Sequence, residues 1–149
     1  MRLQVGRKTE INSSPADVFR FIAVDHERNH PRWDKYALEL RQIDPGPVQV
    51  GTRFAYKRRR LGQFHDLQIT VSEMVPPKNF TFQVTGTPWT GTISYTVDAR
   101  AELASTLEYF ASVETAGPQW LGPLFMPIVK REISVSQRRI KELVESETR

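Results

Sequence analysis

The sequence predicts an α+β protein: one strand, two short helices, six consecutive strands and one long closing helix. Three observations carry that prediction. Between Tyr36 and Glu114 apolar residues alternate with polar ones in short runs broken by turn signals. The connections between those runs are too short for a crossover helix, so the strands follow one another as antiparallel hairpins. From Pro123 to about Glu145 the spacing changes, and Val129, Ile133, Ile140 and Val144 recur at helical intervals.

Leu3, Val5 and Ile11 share parity, so residues 2–12 read as a strand. SSPADVFRFI then opens a helix. Ser14 suits the N-cap, Pro15 the first helical position, and Asp17 completes a box-like S-x-x-D. A second short helix or turn covers His26 to Trp33. Strands are expected at about 36–43, 52–60, 63–75, 79–86, 89–98 and 105–114. They are separated by DPGP at Asp44, Leu61-Gly62, PPKN at Pro76, GTP at Gly86 and DARAEL at Asp98. Pro123 or Pro127 marks the start of the last helix, because proline is best tolerated in a first turn. Small Ser136 sits in its apolar stripe. Such a helix can cover one face of a curved sheet.

A chain of 149 residues is most simply one domain, 1–149, able to bury about two-thirds of its unfolded surface. With no cysteine, disulfides, thiol nucleophiles and zinc-thiolate sites are excluded. The N-terminal stretch has no apolar core of a signal peptide, and WLGPLFMPIV (Trp120 to Val129) is too short to span a bilayer. A cytoplasmic protein without a membrane span is expected. The net charge of +4 is modest, and KRRR at Lys57 to Arg60 reads as a solvated hairpin end, so no nucleic-acid partner is expected. There is no Gly-rich phosphate loop, and no cofactor is expected. Oligomeric state is open.

HERNH, His26 to His30, matches the zinc-peptidase pattern H-E-x-x-H. A working site needs both histidines on one helix face, a third ligand, and a glutamate to activate the bound water. Pro31 disfavours a helical His30, so the second ligand would sit where the helix ends. No third ligand stands out, and no metal site is expected.

The element order β-α-α-β6-α resembles the helix-grip fold of the START-related SRPBCC superfamily, and most of all its polyketide cyclase/dehydrase branch. The resemblance spans nearly the whole chain. It rests on the SSPADVFRFI opening, the HPRWD segment, the VSEMVPPKNFTFQV hairpin, STLEYF, and PLFMPIVKREI at the start of the long helix. Ser105-Thr106 stands where that family commonly has Gly-Thr. The resemblance implies a seven-stranded curved antiparallel sheet wrapped around the C-terminal helix, two short helices after the first strand, and a cavity between sheet and helix.

Residues of one parity on each strand would face that cavity. Phe82 and Val84 share a face, as do Trp89, Ile93 and Tyr95, and Leu107 with Tyr109. Trp33, Trp120, Leu124, Phe125 and Ile133 are the candidates outside these strands. At the Leu61-Gly62 hairpin an even-numbered loop sets Phe54, Tyr56 and Arg58 on the face of Ile69, Leu67 and His65. A three-residue loop would set them beside Thr70, Gln68 and Asp66 instead. The even register gathers the apolar residues and is the expected one. It places Arg58 and His65 near the pocket mouth, where His65 could move protons and Arg58 could hold an enolate or phenolate oxygen.

The expected function is binding of a hydrophobic or aromatic small molecule, polyketide-like or lipid-like, with cyclase or dehydrase chemistry as a further expectation. The alternative is a non-enzymatic interaction module, since related folds also act as chaperone activators and translation-linked toxins.

Overall fold

The computed structural model describes residues 1–148. β1 (Arg2–Ile11), β2 (Ala37–Gln42), β3 (Arg53–Arg60), β4 (Gln63–Val75), β5 (Asn79–Gly86), β6 (Trp89–Ala101) and β7 (Ala104–Thr115) form one sheet. Its order is β1-β7-β6-β5-β4-β3-β2, antiparallel throughout. Each strand pairs with the next in sequence from β2 to β7, and β1 closes onto β7 with Leu3 opposite Val113. The antiparallel hairpins are those that the alternation and short turns imply, and the seven-stranded curved sheet is the one that the resemblance implies. β6 and β7 run further into their shared turn than the apolar pattern suggests. At Gly91 a side chain is impossible, because a Cβ there would lie 2.5 Å from the Ser112 carbonyl oxygen. Glycine lets β6 pass that close to β7.

The chain leaves β1 through Ser14, whose Oγ accepts a hydrogen bond from the Asp17 N–H (3.2 Å), and enters α1 (Pro15–Phe19). A π-helical turn, Arg20–Val24, follows and is closed by Asp25 N–H to Arg20 O at 2.9 Å. No sequence feature announced that turn. It leads into α2 (His26–Trp33). Here the expectation from Pro31 fails: the helix does not end at His30 but continues to Trp33. A proline removes one ladder hydrogen bond, and tertiary packing offsets that loss. His26, Asn29, His30 and Trp33 are all buried, and Asn29 Nδ2 donates to the Phe21 carbonyl at 2.9 Å.

α3 (Gly122–Glu147) lies along the sheet, starting from Pro123 in its first turn with Pro127 inside it. Its C-terminal half packs tightly. Ile140 and Val144 are buried in one cluster with Ile11, Ile22, Phe80 and Leu107. Arg139 Nε donates to the Arg32 carbonyl (3.1 Å) and Lys141 Nζ to the Glu10 carbonyl (2.8 Å), tying that half to α2 and β1. Among the described residues no helix is long and apolar enough to cross a membrane.

The β3–β4 connection is the two-residue Leu61-Gly62 turn, with φ of 51° and 76°. Two left-handed residues match the strand twist in a tight hairpin. The register is therefore the even one: Arg58 stands opposite His65, Tyr56 opposite Leu67 and Phe54 opposite Ile69. Lys57, Asp66, Arg59 and Phe64 take the solvent face.

Candidate functional site

A cavity of about 460 Å³ lies between the sheet and the N-terminal half of α3. Phe82, Val84, Trp89, Ile93, Tyr95, Tyr109, Ala111 and Val113 supply the sheet side; Phe125, Val129, Ile133, Ser136 and Gln137 supply the helix side. The size suits a small organic molecule. Ser136 is what lets the helix side stay open, since a large residue in that stripe would fill it.

One end of the cavity is polar, and it is built on α2. The i, i+4, i+8 spacing of His26, His30 and Asp34 places all three on one helix face. His26 Nδ1 meets the Ile22 carbonyl at 2.8 Å, and His26 Nε2 meets His30 Nδ1 at 3.0 Å. His30 Nε2 lies 3.9 Å from Asp34 Oδ2, beyond hydrogen-bond reach. The His30 ring stacks on Trp33, with centroids 5.1 Å apart and planes at 11°. Asp34 ends the helix and gathers four donors. The Tyr36 N–H (3.0 Å) and a terminal Arg58 nitrogen (3.3 Å) reach Oδ1, while Arg58 Nε (3.1 Å) and the Tyr56 hydroxyl reach Oδ2. That is a paired, hydrogen-bonded charge of the kind an apolar interior tolerates.

Burial sets the protonation here. It pushes His30 down to about 3, assisted by the nearby Arg58 charge. Burial also pushes His26 well below the usual imidazole range; neighbouring His30 adds to this and the Ile22 carbonyl opposes it. Both rings are neutral at pH 7. Tyr95 is raised by burial, then by Tyr109 and Asp34, against a hydrogen bond from Trp33. Tyr109 is raised by burial, with Asp34 adding and Arg58 opposing. The two phenols, with ring centroids 5.4 Å apart, keep their protons.

Arg60 and Glu132 form an ion pair between the hairpin and α3, at the edge of the cavity. The guanidinium groups of Arg58 and Arg60 each lie 5.5 Å from the Tyr36 ring centroid. Two cations of the KRRR run are thus committed inward, and only Lys57 and Arg59 face solvent.

No family model matches the sequence, and no curated protein does. Solved structures match over the full length. The Zhui aromatase/cyclase from Streptomyces sp. R1128 superposes with a TM-score of 0.82 at 8% identity, over 100% of this chain and 97% of that one. A START superfamily protein from Mycobacterium smegmatis gives 0.79 at 14% identity, over 97% and 99%. Ara h 8.0201 gives 0.76 at 14%, over 98% and 99%. The chain has the START-related helix-grip fold. Identities this low establish the fold alone.

Within the helix-grip cavity, the structure sorts the residues expected there. Trp33, Tyr56, Phe82, Val84, Trp89, Ile93, Tyr95, Tyr109, Phe125 and Ile133 line it, as do Arg58 and His65. Phe54, Ile69 and Leu107 do not. They belong to the packed cluster further along the same strands. Leu67 is buried but leans over Gly86, where the missing Cβ leaves room. Trp120 and Leu124 are also corrections, being 72% and 66% exposed. Their neighbours Leu121 and Phe125 reach the cavity instead, Phe125 lying about 100° round the helix from Leu124 and remaining 42% exposed.

His30, Asp34, Tyr36, Glu132 and Gln137 also line the cavity, and sequence reasoning missed them. A signal was present in H-x3-H-x3-D, but reading Pro31 as a helix end hid it. The two HERNH histidines hydrogen-bond each other, and both ring nitrogens of His26 are engaged. Among the described residues no three His, Asp or Glu side chains are placed to hold a metal ion.

Proposed function

We propose that this protein binds a hydrophobic or aromatic small molecule between the sheet and α3. The observation that carries the reading is the cavity itself: about 460 Å³, walled by aromatic and aliphatic side chains, with one hydrogen-bonded polar cluster at its end. Such a cluster orients a ligand that the apolar walls merely retain. The reading extends to polyketide-type cyclase or dehydrase chemistry, for which the Zhui aromatase/cyclase supplies a fold precedent only. The apolar walls would hold a flexible chain in a folded pose. Arg58, held on Asp34 through Nε and one terminal nitrogen, would turn its other terminal nitrogen to an enolate oxygen. His65 Nδ1 is buried without a partner and would move the proton.

Native mass spectrometry of freshly purified protein tests the binding. Retention of a small molecule, lost when Phe82 and Tyr95 are replaced by bulkier Trp to fill the void, supports it. A chain that carries nothing and shows no melting-temperature shift with phenols, sterols, fatty acids or flavonoids contradicts it.

A further inference from the structure

The hydrogen bonds of α2 restrict which kind of ligand the polar end accepts. A carbonyl oxygen can only accept, so the 2.8 Å contact to Ile22 O requires His26 Nδ1 to carry the proton. In a neutral ring His26 Nε2 is then an acceptor, and its partner 3.0 Å away, His30 Nδ1, must donate. That leaves His30 Nε2 as a bare lone pair on the cavity wall. Nothing described donates to it. Asp34 Oδ2, at 3.9 Å, is beyond hydrogen-bond reach and is itself an acceptor. The neighbouring Tyr56 hydroxyl, and Arg58 through Nε and one terminal nitrogen, are committed to Asp34. A second acceptor is idle in the same cavity: Gln137 Oε1, on a side chain only 1% exposed, has no partner.

Buried acceptors left unpaired cost stability unless a ligand or water supplies a donor. We propose that the polar end selects a neutral, hydroxyl-bearing apolar molecule whose O–H donates to His30 Nε2, and that His26 is the positioning residue that keeps that nitrogen an acceptor. The inference rests on the cavity being the binding site. It separates the ligand classes that an apolar cavity alone would admit. An ether brings no donor. A carboxylate brings a second anion beside Asp34 and an acceptor to face an acceptor.

Calorimetric titration at pH 7 with 2-naphthol, 2-methoxynaphthalene and 2-naphthoate tests this directly. Roughly tenfold tighter binding of 2-naphthol than of its methyl ether is expected from one hydrogen bond, with naphthoate the weakest. Equal affinity for naphthol and ether, or naphthoate binding tightest, overturns the inference while leaving the cavity reading intact. If none of the three probes binds, the wider ligand panel decides the cavity reading. The inference about His30 is then decided by ring ¹⁵N spectra of the wild-type protein, which report its tautomer without ligand. Nδ1–H with a bare Nε2 is expected, and Nε2–H overturns it. In His26→Leu the ring of His30 loses its acceptor, so the naphthol preference should fall toward one. His26→Gln, whose amide oxygen can accept from His30 Nδ1, should restore it. A preference unchanged in a folded His26→Leu removes His26 from the account.

Discussion

The two halves of α3 face the same sheet and do opposite things. Around Ile140 and Val144 the sheet is packed, and Phe80 of β5, Leu107 of β7 and Ile11 of β1 are fully buried there. Around Val129 to Ser136 the same strands, at the same parity, leave about 460 Å³ unfilled. Phe80 is core and Phe82 is cavity wall; Leu107 is core and Tyr109 is wall. Parity tells which face a strand residue takes, and the helix position opposite decides whether that face is packed or open. The short helices add to the contrast, since α1 and the π-helical turn contribute Val18 and Ile22 to the packed cluster.

The largest effect expected from this contrast comes from one substitution made twice. Ile140→Ala should cost about 4 kcal/mol, because it opens a void in a packed region. Ile133→Ala, two turns earlier on the same helix face, should cost about 1 kcal/mol, because its neighbour is already a void. Urea denaturation of both variants checks this. Equal losses would mean that the cavity is closed in solution.

Acid should act at the junction between the halves. His26 and His30 titrate below their unfolded value of about 6.5, so as pH falls the unfolded chain takes up protons before the folded one does. The stability from their neutral burial is complete above pH 6.5 and is lost progressively toward pH 3, where His30 itself protonates in the folded state. By pH 5 the loss should be on the order of 2 kcal/mol per ring. Urea midpoints at pH 7, 6 and 5 measure it. A flat profile over that range would show that the rings are solvated.

The smallest effects lie on the hairpin. His65→Ala should weaken ligand binding severalfold with little change in stability, since His65 lines the cavity near its edge. Asp66→Ala should leave both within experimental noise, about 0.5 kcal/mol in stability, because Asp66 is exposed on the opposite face. Binding that responds to Asp66→Ala and ignores His65→Ala would contradict the observed register.

Much of this was legible in the sequence, and the misses have physical causes. Alternation and turn residues sufficed for the strands, whereas the hairpin allowed two registers and only the gathering of apolar residues favoured the even one; the left-handed Leu61 and Gly62 that fix it are visible only in the structure. Phe54, Ile69 and Leu107 were misplaced because parity carries no information about depth along a strand. Trp120 and Leu124 were misplaced because an apolar run does not reveal its rotation about the helix axis. His30 and Asp34 were lost to a local rule. Pro31 disfavours a helix at the residue before it, yet four buried side chains of α2 hold the helix through it. Gln137 gave no signal at all, since a lone glutamine in a helix stripe reads as surface.

Methyl NMR during a titration with 2-naphthol tests the central claim most directly, because the methyl groups report each half of the helix–sheet interface separately. Val84, Ile93, Val113, Val129 and Ile133 should shift, while Ile11, Ile69, Leu107, Ile140 and Val144 stay in place. Shifts confined to exposed Leu61, Leu124 and Ile128, or no shifts at all as probe is added to saturation, would contradict binding in the cavity.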